Sequence, residues 1–166
     1  MPGSGRRAAL ASFLPVSVSR IAVLKQRHET QLACALTDAF AALVEVIAKG
    51  RWGGASLVLG TTLPPPGCRY EQQRGKVLRR GKVLACLRPV SITVQETLLD
   101  PPCCVQLRLH WRLEPTDAGA CVLLDARYSL NGAAALRRRH WYERIHGHCA
   151  RMLCAVESRV VQAEET

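Results

Sequence analysis

The stretch "VQLRLHWRL", residues 105–113, sets Val105, Leu107, Leu109, Trp111 and Leu113 at alternate positions, with Gln106, Arg108, His110 and Arg112 between them. Successive side chains of a strand point to opposite faces, so this run predicts a strand with one buried face and one basic, solvated face. The next run, "VLLDARYSL" at 122–130, repeats the pattern. Val122, Leu124, Ala126, Tyr128 and Leu130 share one side; Asp125, Arg127 and Ser129 share the other. Asp100-Pro101-Pro102 precedes the pair, 115–119 divides it and Asn131-Gly132 ends it. Turn signals this close leave no room for crossover helices, so consecutive strands pair antiparallel in a meander.

Working back towards the N-terminus, "VSITVQETLL" (90–99) reads as a further strand. "CRYEQQRGKVL" (68–78) and "KVLACLRP" (82–89) read as two more, joined near Arg80-Gly81. "ASLVLGTTL" (55–63) is another candidate, ended by the prolines at 64–66. Over 29–49 the period changes. Leu32, Leu36, Phe40, Leu43, Val44 and Ile47 recur at steps of three and four, which predicts a helix stopped by Gly50. "VSVSRIAVL" (16–24) predicts the first strand. Beyond the meander, 133–162 predicts one closing helix with Asn131 as its N-cap. Trp141, Ile145, Cys149, Met152, Val156 and Val160 form its apolar stripe, with Tyr142 and Leu153 beside it. Gly147, inside this helix, allows a close approach to the sheet, a bend around a cavity or a helix–helix contact.

The chain of 166 residues is 48% hydrophobic, which suits a single globular domain over 16–166 with a loosely attached tail over 1–15. No apolar run approaches the roughly 20 residues of a membrane span. Most of the eight cysteines sit in apolar patterns and none forms a CxxC pair, which reads as a reducing, cytoplasmic setting. The net charge is +10, with Arg dominating the basic residues and no acid before Glu29. Such a charge attracts nucleic acid, anionic lipid or acidic ligands without selecting among them.

Strand, helix, meander and long closing helix together resemble the helix-grip fold of the START and pollen-allergen superfamily, also called SRPBCC, which includes the polyketide cyclase/dehydrase family. The likeness is carried by "VSITVQETLLDPPCCVQLRLHWRLEP" with "GACVLLDARYSL", and by the closing helix. It implies an α+β architecture in which a curved antiparallel sheet of about 6–7 strands wraps around the C-terminal helix. It also implies a cavity between them for lipids, sterols, polyketides or other apolar molecules. Helix one is longer than usual in that fold and no second short helix is evident.

Three chemistries compete for the polar residues. His140, His146, His148 and Cys149 suggest metal ligands, but only His146 and Cys149 have helical ligand spacing and no third donor completes the set. Arg137, Arg144 and Arg151 border the apolar stripe, and with Arg108, Arg112 and Arg127 of the wet sheet face they would make a patch for nucleic acid or anionic membrane if the two sets merged. Catalysis rests on Glu96, which shares the inward face of its strand with Ile92, Val94 and Leu98. A carboxylate there must be paired, neutral or functional. His148 and Tyr128 are its candidate acid/base partners, Tyr70 offers a second hydroxyl, and Arg74 is a candidate ion-pair partner. No cofactor is implied. The apolar faces bring Leu109, Trp111 and Tyr128 of the sheet against Trp141, Ile145, His148 and Met152 of the helix as the expected ligand-binding walls. Both indole N–H groups then need a partner, and Glu96, Tyr128 or a backbone carbonyl could serve.

Overall fold

The computed structural model describes residues 22–48, 52–53 and 66–164. The elements run β1 (Ala22–Leu32), α1 (Leu36–Ala48), β2 (Trp52–Gly53), β3 (Arg69–Arg74), β4 (Val77–Leu87), β5 (Ser91–Asp100), β6 (Cys103–Thr116), β7 (Gly119–Leu130), α2 (Ala133–Leu136) and α3 (Arg138–Glu164). The strands form one antiparallel sheet in the order β1-β7-β6-β5-β4-β3-β2. Strands β2 to β7 pair with their sequence neighbours, while β1 crosses to the far side of β7. This is the expected helix-grip arrangement, with α3 on the inner face of the sheet. No helix of the described residues is long and apolar enough to cross a membrane.

The alternation at 105–113 and 122–130 is realised: every inward residue of both runs is buried. Across from them α3, about 40 Å long by its residue count, buries Trp141, Ile145, Cys149, Met152, Val156 and Val160. Helix α1 adds Ala39, Phe40, Leu43 and Ile47 to the same core. Its side near solvent is tied to α3 by the Arg159 Nε–Glu45 Oε2 ion pair at 2.5 Å.

Four expectations are corrected. Residues 29–32 extend β1 rather than open helix one, which begins at Leu36. Leu32 does lie in the core, but as the last inward residue of a strand. Of the predicted first strand 16–24, residues 22–24 open β1 and 16–21 lie outside the described residues, as does the candidate strand 55–63. The turn between β3 and β4 is at Gly75, whose φ of 60 is the left-handed conformation glycine tolerates, so β4 runs unbroken through Arg80-Gly81. The closing helix is interrupted at Arg137, leaving the single turn α2 ahead of α3. Asn131 contributes its backbone carbonyl to Ala134 N–H, and Gly132 occupies the cap position without a side-chain cap. Gly147 makes no close approach to the sheet; a Cβ there would meet only the Arg151 guanidinium, at 3.2 Å.

Candidate functional site

Strand register aligns Tyr128, Leu107, Glu96, Gly81 and Tyr70 in one row across the inner face from β7 to β3. Gly81 is decisive for what this row can do. A Cβ on it would lie 1.9 Å from Tyr70 Cζ, so only glycine lets the Tyr70 ring lie across β4. The ring's hydroxyl then donates to Glu96 on β5. Arg79, two residues before Gly81 and so on the same face of β4, pairs with the same carboxylate. Its guanidinium also donates to Gln72 Oε1 at 2.8 Å and to the Ile47 carbonyl at 2.9 Å. Ile47 lies in the last turn of α1, where carbonyls lack helical donors and a cation is favoured. From α3, His148 Nε2 stands 3.6 Å from Glu96 Oε2, beyond direct hydrogen-bond length. Met152 Sδ lies 3.9 Å from Arg79 Nη2. Two helices and three strands thus converge on one buried ion pair.

Burial alone pushes the Glu96 carboxyl up, but the Arg79 guanidinium, with His148, outweighs it and holds the group down at about 2. Burial likewise works against the Arg79 cation, and the Glu96 charge more than offsets it, leaving the guanidinium raised. The Tyr70 hydroxyl is pushed well up by burial and by the Glu96 charge, so it stays protonated and donates. Cys149, next to His148 in sequence, is pushed up to about 12 by burial and by Glu96, so its thiol is inert at neutral pH.

The structure brings Glu96 and His148 together as the sequence suggests, and leaves Tyr128 out of their cluster. Tyr128 accepts a hydrogen bond from Gln26 Nε2 of β1 at 3.0 Å, and the same amide donates to the Tyr142 carbonyl of α3 at 2.9 Å. Arg74 does not meet Glu96; Arg79 does. Arg79 escapes sequence reading because a strand broken at Arg80-Gly81 has no inward position 79. The usable signal was the glycine itself, since glycine inside a strand marks a close approach by another group. His146 packs on His28 with ring centroids 4.7 Å apart, and the Tyr142 ring lies parallel to it at 6.4 Å. The helix arginines do not merge with those of the sheet, because α3 covers the inner face while Arg108, Arg112 and Arg127 point outwards. Arg144 is engaged by Asp100 and the Trp141 ring.

Leu109, Trp111, Tyr128, Trp141, Ile145 and Met152 all face one interior, with Trp111 and Trp141 at 0% and 1% exposure. The indole partners expected from sequence are absent: neither Trp111 Nε1 nor Trp141 Nε1 has a hydrogen-bond acceptor among the described residues. Glu96 Oε2 and His148 Nε2 are enclosed and unpartnered in the same way. Two clefts formed by described residues lie elsewhere. One, of about 580 Å³, runs between α1 and the end of α3. The other, of about 590 Å³, opens on the outer face of β3–β5.

No family model matches the sequence, and no curated protein is significantly similar to it. Solved structures do share the fold. A protein of unknown function from Staphylococcus aureus superposes with a TM-score of 0.65 at 12% identity, covering 88% of this chain and 98% of that one. An uncharacterised protein from Rhizobium leguminosarum gives 0.61 at 13% identity over 88% and 99%. Ara h 8.0201, a Bet v 1-like helix-grip protein, gives 0.57 at 15% identity over 85% and 99%. Identities this low establish the shared fold and nothing finer.

Proposed function

We propose that this chain binds a hydrophobic small molecule bearing one hydroxyl, lipid- or polyketide-like, between the inner sheet face and α3. The observation that carries this is the pair Glu96 Oε2 and His148 Nε2, enclosed beside the Arg79–Glu96 ion pair, 3.6 Å apart and without hydrogen-bond partners. Buried polar atoms left unpaired are costly and uncommon, and a bound polar group relieves both at once. Glu96 is held anionic, so it takes a donor. That favours an alcohol, sterol or phenol over a carboxylic acid, which the same charge repels. The apolar body of the ligand then lies against Trp111, Leu109, Trp141 and Ile145.

Binding is favoured over proton transfer between Glu96 and Tyr70. A carboxylate held at about 2 is a weak base at neutral pH, and a tyrosine hydroxyl pushed upwards is a weak acid. A cyclase or dehydratase step has no well-matched proton carrier in Glu96 and Tyr70.

Titration with a long-chain alcohol and with the fatty acid of equal length, followed through tryptophan fluorescence, tests the reading. The alcohol should shift the emission and bind about tenfold tighter, a difference of about 1.4 kcal/mol. Glu96→Gln should narrow that preference. Unchanged fluorescence with every apolar probe, together with protein that carries no small molecule in native mass spectrometry, would overturn it.

A further inference from the structure

We propose that the outer face of the sheet binds single-stranded nucleic acid through its phosphates, along one row of cations that crosses the strands. The register puts Lys25, Arg127, Arg108, Gln95, Lys82 and Arg69 directly opposite one another in turn, from β1 to β3. All six are exposed. Five are cations, the sixth is a neutral amide, and none is an acid. Across six strands at about 4.8 Å spacing the row is about 24 Å long.

Like charges set opposite one another on a sheet are destabilising. The usual relief is a carboxylate in a neighbouring row. Here the carboxylates nearest the row are already taken. Asp125 accepts from Arg27 at 2.8 Å and lies 3.5 Å from Arg112, and Glu71 accepts from Arg80 at 2.7 Å. None of the five row cations has an ion-pair partner among the described residues. The row is therefore a line of unneutralised charge one residue wide, with the closed ion pairs Arg27–Asp125 and Arg80–Glu71 beside its two ends.

That shape selects the partner. A membrane presents a plane of charge and rewards a broad basic patch, often with apolar side chains to insert. A linear polyanion needs only a line. At about 3.4 Å per residue of a stacked strand, 24 Å spans about seven phosphates, and fewer when the strand is extended. The face carries no Phe, Tyr or Trp among its described residues, so bases have no stacking platform and recognition is by backbone, indifferent to sequence. At its β3–β5 end the row enters the outer cleft, whose outward side chains are Arg69, Glu71, Arg80, Lys82, Gln95 and Thr97, with Glu71 already paired to Arg80.

The test is the anisotropy of a labelled oligouridylate of about 12 nucleotides, followed from roughly 50 to 200 mM salt. Five phosphate contacts predict a slope of about −3.5 in log affinity against log salt, an affinity loss of about 100-fold over that range. Arg108→Gln with Arg127→Gln should reduce the slope to about −2.1 and the loss to about 20-fold. Arg138→Gln with Arg151→Gln removes equal charge from exposed α3 positions and should leave the slope unchanged. Three results would overturn the proposal. One is no binding at the lowest salt. Another is an equal slope change in the two double variants, the mark of net charge alone. The third is binding to phosphatidylserine vesicles but not to the oligonucleotide.

Discussion

In each of five strands, one residue of the inner row is the sequence neighbour of one in the outer row: Arg127 and Tyr128, Leu107 and Arg108, Gln95 and Glu96, Gly81 and Lys82, Arg69 and Tyr70. One step along the backbone separates two electrostatic regimes. Inside, one carboxylate takes bonds from an arginine and a tyrosine, and the set joins α1, the sheet and α3. Outside, five cations stand in water without an ion-pair partner among the described residues. Where water is excluded, charge becomes architecture, because an unpaired ion is too costly to leave. Where water remains, the same charge contributes almost nothing to folding and is available to a partner.

The sharpest way to break that contrast is to take one partner from the inner pair. Arg79→Met leaves Glu96 buried without its cation and should cost about 3–5 kcal/mol in denaturant unfolding. Pairing it with Glu96→Gln should recover much of the loss, since removing both charges also removes the desolvation penalty. A double variant as unstable as Arg79→Met would show that packing, rather than charge, carries the cluster. Trp111→Ala, with no charge involved, should cost a similar 3–5 kcal/mol if its surroundings are filled core, and less if the ring borders a ligand space. Gly81→Ala drives a methyl into the Tyr70 ring and should cost about 1–3 kcal/mol, detaching the hydroxyl from Glu96.

Acid sharpens the comparison further. Glu96 binds its proton near 4.5 when unfolded and at about 2 when folded. The stability it contributes is therefore present above about 4.5 and is lost as pH falls through the folded value. Unfolding free energies across this window should fall with a slope that Glu96→Gln flattens; equal slopes would refute the assignment. The smallest effect belongs outside. Arg127→Gln should change stability by less than about 0.5 kcal/mol, in the stabilising direction, because it relieves cross-strand repulsion with Lys25 and Arg108.

The sequence exposes the parts of the fold whose two faces differ in polarity. Strands β6 and β7 alternate cleanly because one face meets α3 and the other meets water. Glu96 stands out for the same reason, as the wrong chemistry on the right face. Arg79 does not, because its inward position is evident only once Gly81 is read as strand rather than turn. The rest of β1, beyond Leu24, is hidden by a different cause. Its inward residues Gln26, His28 and Thr30 are polar, matched to Tyr128, His146 and Glu157 instead of to apolar side chains. Without an apolar stripe the period of two vanishes, and Leu32 joins the spacing of the helix that follows.

The polar inner side of β1 also bears on how the chain is made. Its pairing residues on β7 lie about 100 positions later, so at roughly 5–20 residues per second β1 emerges from the ribosome roughly 5–20 s before its neighbour exists. Strands β3 to β7 close hairpin by hairpin as they appear, each with its pairing strand already made. Strand β1 alone must wait as an open edge, the state in which apolar strands join the wrong chain. Gln26, His28 and Thr30 on one side and Lys25 and Arg27 on the other leave it little to offer a passing nascent chain. The composition that conceals this strand from a reader of the sequence also shelters it from misassembly until β7 arrives.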